Sequence, residues 1–213
     1  MRIRRLLLVA SLLGFAFASA CTTTSKGDPP PTGTTTSDAT PRTSGSGEPE
    51  DLPFAGAPEV NSPLDTSQYE KDPCQSLTAD QAQYLNLPTT GKPADDAVLS
   101  AACEWENPTT RGYVQIAFIV DDPRGLSPEY DANKRHRWAY FEVLPNVEGY
   151  PAVARSRTDD RDIGHCTVVV GVADDMAFES IVRLSQANVE KKDPCKVASQ
   201  VAGLAVQTMK KGA

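Results

Sequence analysis

The chain has 213 residues, a formal net charge of −7, 39% hydrophobic residues, 23% charged residues and five cysteines. This composition excludes a basic nucleic-acid-binding domain, a collagen-like fibre and a membrane protein with many spans. The length allows one or two domains, but roughly the first sixty residues are too polar or too short in apolar runs to contribute a core. We therefore expect one globular domain.

The N-terminus has the three parts of a secretory leader. Residues 1–5 are basic, residues 6–17 form an apolar run, and small residues at 18–20 precede Cys21. The apolar run is shorter than the roughly 20 residues that a membrane-spanning helix needs. We predict that residues 1–20 are a signal peptide and that the rest of the chain is exported.

Cys21 has two interpretations. A cysteine directly after the small residues resembles the bacterial lipobox. In a lipobox the cysteine thiol receives a diacylglycerol, and the cysteine becomes the mature N-terminus, which carries fatty acids such as palmitate. Ala18 stands where lipobox sites usually have leucine. We predict lipidation of Cys21, with the membrane as a partner through this anchor, and a location on the outer face of the cytoplasmic membrane. The alternative is a soluble secreted protein cut at an ordinary A-x-A site.

Loss of the leader makes the chain more acidic. The leader carries three arginines and no acid, so the net charge of the mature chain is −10. Such a charge repels polyanions, which makes nucleic acid and anionic lipid surfaces poor main partners, although local exceptions remain open.

A tether precedes the domain. Thr, Ser, Pro and Gly fill 22 of the 29 positions from 22 to 50, and no aromatic or large aliphatic side chain occurs there. Such a segment buries too little apolar surface to offset its ordering entropy. We predict a disordered tether over residues 21–66 and a globular domain over residues 67–213.

Three helices are predicted in this domain. Thr78 with Gln81 three positions later is a capping-box start for a helix to about residue 85. Ser127-Pro128 starts a helix that the pattern extends to about residue 140, and a third begins at Asp193.

Alternating apolar residues predict an antiparallel sheet between these helices. Asp174-Asp175 provides the short residues that a tight hairpin turn needs. We predict one α+β domain, in which a hairpin-rich antiparallel sheet is flanked by short N-terminal, middle and C-terminal helices. The predicted strands lie at 103–106, 112–120, 149–157, 166–173 and 176–185.

Four cysteines remain besides Cys21, and outside the cytoplasm an even set favours disulfides. Three pairings are possible. Cys74 and Cys103 are 29 positions apart, as are Cys166 and Cys195. The two outer members each follow Asp-Pro, in which Asp72 or Asp193 can cap a helix and the proline fits the first helical position. This symmetry favours pairing Cys74 with Cys103 and Cys166 with Cys195. The alternative, a zinc or redox site, lacks the close C-x-x-C pair that it needs.

Several short motifs occur in a fixed order. They are Asp-Pro-Cys before Leu77-Thr78, Cys103-x-Trp105, Gly-Tyr-Pro-Ala-Val at 149–153, Cys166 before an apolar strand into Gly171, and Asp-Pro-Cys at 193–195. With the lipobox and the Thr-rich tether, they resemble the actinobacterial lipoproteins of unknown function, the family defined by domain of unknown function 3558. The resemblance covers about residues 72–211. It implies a lipid-anchored envelope protein and no particular activity.

The sequence offers little for catalysis, so we predict no catalytic residue, no metal site and no cofactor. His136 lies in a basic run, His165 precedes a disulfide cysteine, and no G-x-S-x-G elbow accompanies them. The acidic residues at 159–162 lack the bidentate acid of a calcium loop, which favours an acidic hairpin turn.

Four residues are candidates for contact with a ligand or a partner. Arg135, Arg137 and Trp138 could meet an anionic or sugar ligand, and Tyr150 could stack on one. The sequence favours the structural interpretations, a solvated helix face for the arginines and packing for the two aromatic residues. We predict a non-catalytic, lipid-anchored envelope protein that binds an envelope protein or a small ligand. The alternative is a secreted hydrolase acting on the cell wall, which requires His136 or His165 beside a Ser or Asp in a cleft.

Overall fold

The computed structural model describes residues 51–94 and 101–212. The predicted leader, Cys21 and the tether up to residue 50 lie outside these ranges. Within them the chain forms an antiparallel sheet with helices on both faces, so the predicted α+β fold is confirmed.

The helices and strands follow one another along the chain as follows. The helices are α1 (Ser67–Lys71), α2 (Ala79–Tyr84), α3 (Ser127–Lys134) and α4 (Pro194–Gly212), with single 3-10 turns at Pro73–Ser76, Arg161–Ile163 and Gln186–Asn188. The strands are β1 (Lys92–Pro93), β2 (Ala101–Glu106), β3 (Tyr113–Phe118), β4 (Tyr140–Val147), β5 (Tyr150–Ser156), β6 (His165–Ala173) and β7 (Met176–Arg183). No helix in these ranges combines the length and the apolar character needed to cross a bilayer.

The strands are arranged in the order β1-β2-β3-β7-β6-β5-β4, with antiparallel neighbours throughout. After β3 the chain crosses through α3 to the far edge. It then returns strand by strand until β7 pairs with β3. Strand β4 is consequently an edge of the sheet, and its outer side is unpaired within the described residues.

The two faces of the sheet are covered differently. Every second residue of β6, from Cys166 to Val172, packs with α4 in the larger core, which also includes Trp105 and Phe178. We call this side the α4 face. On the opposite side, the α3 face, a smaller cluster forms from Ala57, Leu126, Val153, Val169 and Ala177.

Helix α4 is fixed at both ends and in the middle. Asp193 accepts hydrogen bonds from the backbone N–H groups of Cys195 and Lys196, at 2.8 and 3.2 Å, which is the predicted cap. Ser180 of β7 donates to the carbonyl of Ala198 at 2.9 Å. The predicted capping box of α2 is present, and its Gln81 also donates to the carbonyl of Leu204 at 3.0 Å.

Both predicted disulfides are confirmed. Cys74 pairs with Cys103 and joins the Pro73–Ser76 turn to β2, while Cys166 pairs with Cys195 and joins β6 to α4. Trp105 lies beside the first disulfide, and a Cβ on Gly91 would come within 2.5 Å of Cys103 Sγ and of the Trp105 ring. A residue without a side chain is therefore required at Gly91.

The cap expected from Asp72 is absent. Cys74 lies in a four-residue 3-10 turn rather than an α-helix, and Asp72 accepts from the side-chain amide of Gln75 at 2.8 Å instead of from the backbone. The turn ends before it offers the backbone N–H groups that an α-helical cap would bind.

The middle helix is shorter than predicted. It ends at Lys134 because His136 adopts a left-handed conformation, with φ of 54°, and the Arg137 and His136 N–H groups donate to the carbonyls of Ala132 and Asn133. These bonds form a Schellman motif. The residues beyond it form β4, a strand that the sequence patterns missed.

The segment before α1, which we call the N-terminal strap (residues 54–66), is packed on the domain. The Phe54 N–H donates to Ser127 Oγ at 3.0 Å, the Val60 N–H to Asp174 Oδ1 at 2.8 Å, and the Leu64 N–H to the Val172 carbonyl at 2.9 Å. The strap thus passes from the α3 face to the α4 face. The packed domain begins before the predicted boundary at residue 67.

Candidate functional site

An open groove of about 890 Å³ runs between the edge strand β4 and helix α4. Its size lies within the range of known ligand sites. Strand β4 presents alternate residues to it because successive side chains point to opposite faces, and α4 presents residues three and four apart. These residues are Tyr140, Glu142 and Leu144 from β4, and Gln200, Leu204 and Gln207 from α4.

Tyr140 is held from two sides. The guanidinium carbon of Arg161 lies 3.6 Å from its ring centroid, and its hydroxyl donates to Glu142. Asp159 orients Arg161 through two hydrogen bonds of 2.7 Å. Partial burial, followed by the hydrogen bond to Glu142, raises the pKa of Tyr140 to about 12, so this phenol stays neutral.

Three carboxylates at the groove have no ion pair with any described residue. They are Glu142 on β4, Glu148 in the β4–β5 turn and Asp193 at the start of α4. The two cations that line the groove are Lys196 and Arg161, and Arg161 is paired with Asp159. A ligand with positive charge would therefore find available acceptors here.

The turn that carries Glu148 has a strained backbone. Glu148 and Gly149 have φ of 52° and 94°, a pair of left-handed residues at a two-residue hairpin turn, where Asn-Gly is the preferred sequence. The Glu148 side chain accepts from Gln207 Nε2 at 2.8 Å, and its carbonyl accepts from Lys210 at 2.7 Å. The turn therefore contains Glu148, a residue that disfavours the left-handed conformation, and Glu148 is bonded to α4.

Tyr84 of α2 adds an exposed aromatic side chain to the groove. It is 69% exposed, the largest fraction among the four large exposed apolar side chains of the described residues. Val143 lies on β4 but points to the α3 face, because it pairs with Val153 of the α3-face cluster. Ile163 and Val120 do not line the groove. Aromatic residues such as Tyr84 are enriched at protein contact surfaces.

The four residues proposed as ligand contacts lie elsewhere. Tyr150 is buried in the α4-face core with Lys210 above its ring, at 5.1 Å. Arg135 and Arg137 are exposed at the end of α3, where Arg135 pairs with Asp131, and Trp138 is half-buried on the α3 face. None of the four lines the β4–α4 groove, and the structure places Tyr150 and Trp138 on opposite faces of the sheet.

Trp138 belongs to a buried charged cluster that fastens α3 to the sheet. Its indole N–H donates to the carbonyl of Glu129 at 3.2 Å, and Arg155 lies 4.8 Å from its ring. Arg155 pairs with Glu129 of α3, at 3.3 Å, and with Glu179 of β7. Burial raises the pKa of Glu129, Arg155 lowers it, and Glu179 raises it. The hydrogen bond to Glu129 and the contact with Arg155 therefore make Trp138 part of the junction between α3 and the sheet.

The two histidines are not brought to a cleft with Ser or Asp. Both are exposed, and no side-chain hydrogen bond of either joins it to another described residue. The acidic residues at 159–162 form the turn between β5 and β6, where Arg161 engages Asp159. No group of three potential metal ligands occurs in the described ranges.

Comparison with protein families matches residues 16–208 of the chain to the family described as "Protein of unknown function (DUF3558)". The chain belongs to the DUF3558 family. Comparisons with curated proteins and with solved structures found no match.

The groove of this DUF3558 protein was missed in the sequence because its residues come from four separate segments. The sequence pattern extends the middle helix to Tyr140 and predicts no element for the segment that follows it. The aromatic and β-branched residues from 140 to 147, interrupted by Pro145, are a signal for an edge strand. Recognising it would have placed Glu142 and Leu144 on one face.

Proposed function

We propose that this DUF3558 protein is a lipid-anchored, non-catalytic protein of the cell envelope that binds a partner protein in the β4–α4 groove. The leader and Cys21 support export and anchoring, and two disulfides suit an oxidising compartment. The observation that carries the binding role is the groove, which combines carboxylates without an ion pair to a described residue, the exposed aromatic side chain of Tyr84 and a free strand edge.

A free strand edge favours an extended polypeptide as the occupant. The outer N–H and C=O groups of β4 can pair with an added strand, whose alternate side chains would enter the groove. Glu142 and Glu148 favour a basic side chain in that strand. An enclosed apolar cavity would favour a small lipophilic ligand instead, but the groove is open to water.

The strained turn supports a role for the groove in binding. A non-glycine residue in the left-handed region costs about 1 kcal/mol, and such outliers concentrate at functional sites. Glu148 has this conformation and places its carboxylate against Gln207 of the groove. We expect Glu148→Asn to stabilise the fold and to weaken partner binding.

The hydrolase alternative gains no support from the positions of the histidines. It requires an imidazole within hydrogen-bond reach of a Ser or Asp in a cleft. Among the described residues, neither His136 nor His165 makes such a contact.

Photo-crosslinking in the native cell tests the binding role. A photoreactive amino acid replaces Tyr84, which is 69% exposed and lines the groove, and a matched variant carries it at Gln115, which is half-exposed on β3. We expect a discrete protein adduct from position 84 and none from position 115. Adding Glu142→Lys and Glu148→Lys should abolish it. Equal adducts at the two positions, or an adduct that survives the charge reversal, would refute the proposal.

A further inference from the structure

A second surface, on the α3 face, has the opposite charge. We call it the basic patch and define it by Lys134, Arg137, Arg157 and Trp138. The three cations are exposed, and none has an ion pair with a described residue. Their neighbours Arg135 and Arg155 differ, because Asp131 neutralises the first and Glu129 and Glu179 neutralise the second.

The patch is built on rigid elements. The Schellman motif fixes Arg137 directly after α3, and the hydrogen bond from Trp138 to Glu129 holds the indole against that helix. Arg157 lies at the end of β5 with its guanidinium 5.8 Å from the Trp138 ring centroid. The Arg157 guanidinium thus lies near a half-exposed indole, Arg137 precedes that indole in the chain, and Lys134 ends the helix to which the indole is bonded.

The chain enters the domain on the same face. Phe54 is bonded to Ser127, the first residue of α3, and Ala57 packs with Leu126 in the α3-face cluster. Fifty residues, Cys21 among them, precede Asp51 in the sequence. The β4–α4 groove, by contrast, lies between β4 and the helix of the α4 face.

We propose that the basic patch docks the domain on anionic phospholipid headgroups. Lys and Arg are attracted to such a surface, and the exposed part of the Trp138 ring suits the headgroup level. The acidic remainder of the chain does not prevent this, since charges beyond a Debye length of about 8–10 Å are largely screened. Docking by the α3 face leaves the groove free for its partner.

Vesicle co-sedimentation tests the patch without the anchor. The probe is the full chain carrying Cys21→Ser, exported with its own leader, and the vesicles contain equal parts of phosphatidylglycerol and phosphatidylcholine, or phosphatidylcholine alone. We expect binding only to the anionic vesicles, with a steep loss as chloride is added. The fluorescence emission of Trp138 should shift on binding. The shift can be assigned to Trp138, because the other tryptophan, Trp105, is 1% exposed and its emission should not change.

Two matched triple variants decide whether the patch is responsible. The first is Lys134→Glu/Arg137→Glu/Arg157→Glu. It should lower the partition coefficient by roughly a hundredfold, because each basic residue near an anionic surface raises that coefficient roughly fivefold. Lys191→Glu/Lys192→Glu/Lys211→Glu has the same net charge, alters exposed lysines before α4 and in its last turn, and should lose far less.

Three results would overturn the proposal. The first is no difference between the two vesicle types, and the second is an equal loss in both triple variants, which would assign binding to net charge alone. The third is release by inorganic phosphate beyond that by chloride at equal ionic strength, which would indicate a phosphate pocket instead of a membrane surface.

Discussion

The guanidinium of Arg161 lies over the ring of Tyr140, and the Tyr140 hydroxyl donates to Glu142. Partial burial and Glu142 raise the pKa of Tyr140 to about 12, whereas Arg161 lowers it. In ¹³C-tyrosine NMR we expect the Tyr140 signal to remain unshifted near pH 10. An ordinary tyrosine, whose pKa is about 10, is half ionised there. Glu142→Gln should lower this pKa and Arg161→Gln should raise it. The opposite signs would contradict the geometry.

His136 is the left-handed residue of the α3 cap, so its role is conformational. We expect His136→Gly to raise the free energy of unfolding by about 0.5–1 kcal/mol, because glycine adopts positive φ without strain. Ala132→Gly, inside the same helix, should lower it by about 1 kcal/mol. Urea unfolding measures both changes, and a large loss of stability in His136→Gly would show that its imidazole makes a contact that the structure lacks.

Glu129 makes stability depend on pH. Burial and then Glu179 raise its pKa above the ordinary 4.5, against the opposing effect of Arg155. The folded chain then binds more protons than the unfolded chain in the window between 4.5 and the raised pKa, so stability falls as pH rises through it. A loss of stability with rising pH is what a raised carboxyl pKa in the folded state produces.

Comparing unfolding midpoints across that window tests the effect. Relative to Glu129→Gln, the unaltered chain should lose stability as the pH rises from 4.5. Glu179→Gln should narrow the window, because it removes a negative neighbour. A difference between the unaltered chain and Glu129→Gln that stays constant with pH would mean that Glu129 titrates normally.

Each disulfide closes a 29-residue separation. In the chain-entropy model, a loop of this length contributes about 3–4 kcal/mol, so Cys74→Ala/Cys103→Ala should destabilise the domain by about that amount. Cys21→Ala provides the control and should leave stability unchanged. Non-reduced peptide mapping must find the two pairs, and reduction with alkylation must add four blocked thiols besides any at Cys21.

Lipidation of Cys21 is tested on the chain recovered from its own membrane. We expect the mature N-terminal peptide to begin at Cys21 and to carry a diacylglycerol mass. A peptide that begins at Thr22, or an unmodified cysteine, would show a soluble secreted protein instead. Intact mass measurement under native conditions would also detect a co-purifying ligand.

Local signals predicted much of the fold. Thr78 and Gln81 form the expected capping box, Asp193 caps α4, and the equal spacing of the cysteines indicated the correct pairs. These features depend on residues close in sequence or on a repeated tripeptide, so a pattern can show them.

Long-range contacts decided what the patterns missed. Helix α3 stops at a left-handed His136, a position where glycine is usual, so no stop signal was visible. The groove unites Tyr140, Arg161 and Gln200 only after β4 reaches the edge of the sheet. The strap looked like tether because its few apolar residues gain burial only against the finished sheet.

The strap also determines where a protease could shed the domain intact. Its backbone bonds at Phe54, Val60 and Leu64 join three separate parts of the molecule. If Cys21 carries the proposed anchor, a cut upstream of Phe54 would release a folded domain with the groove and the basic patch complete. A cut a few residues later would separate Ala57 from Leu126 and expose apolar surface of the α3-face cluster on the released fragment.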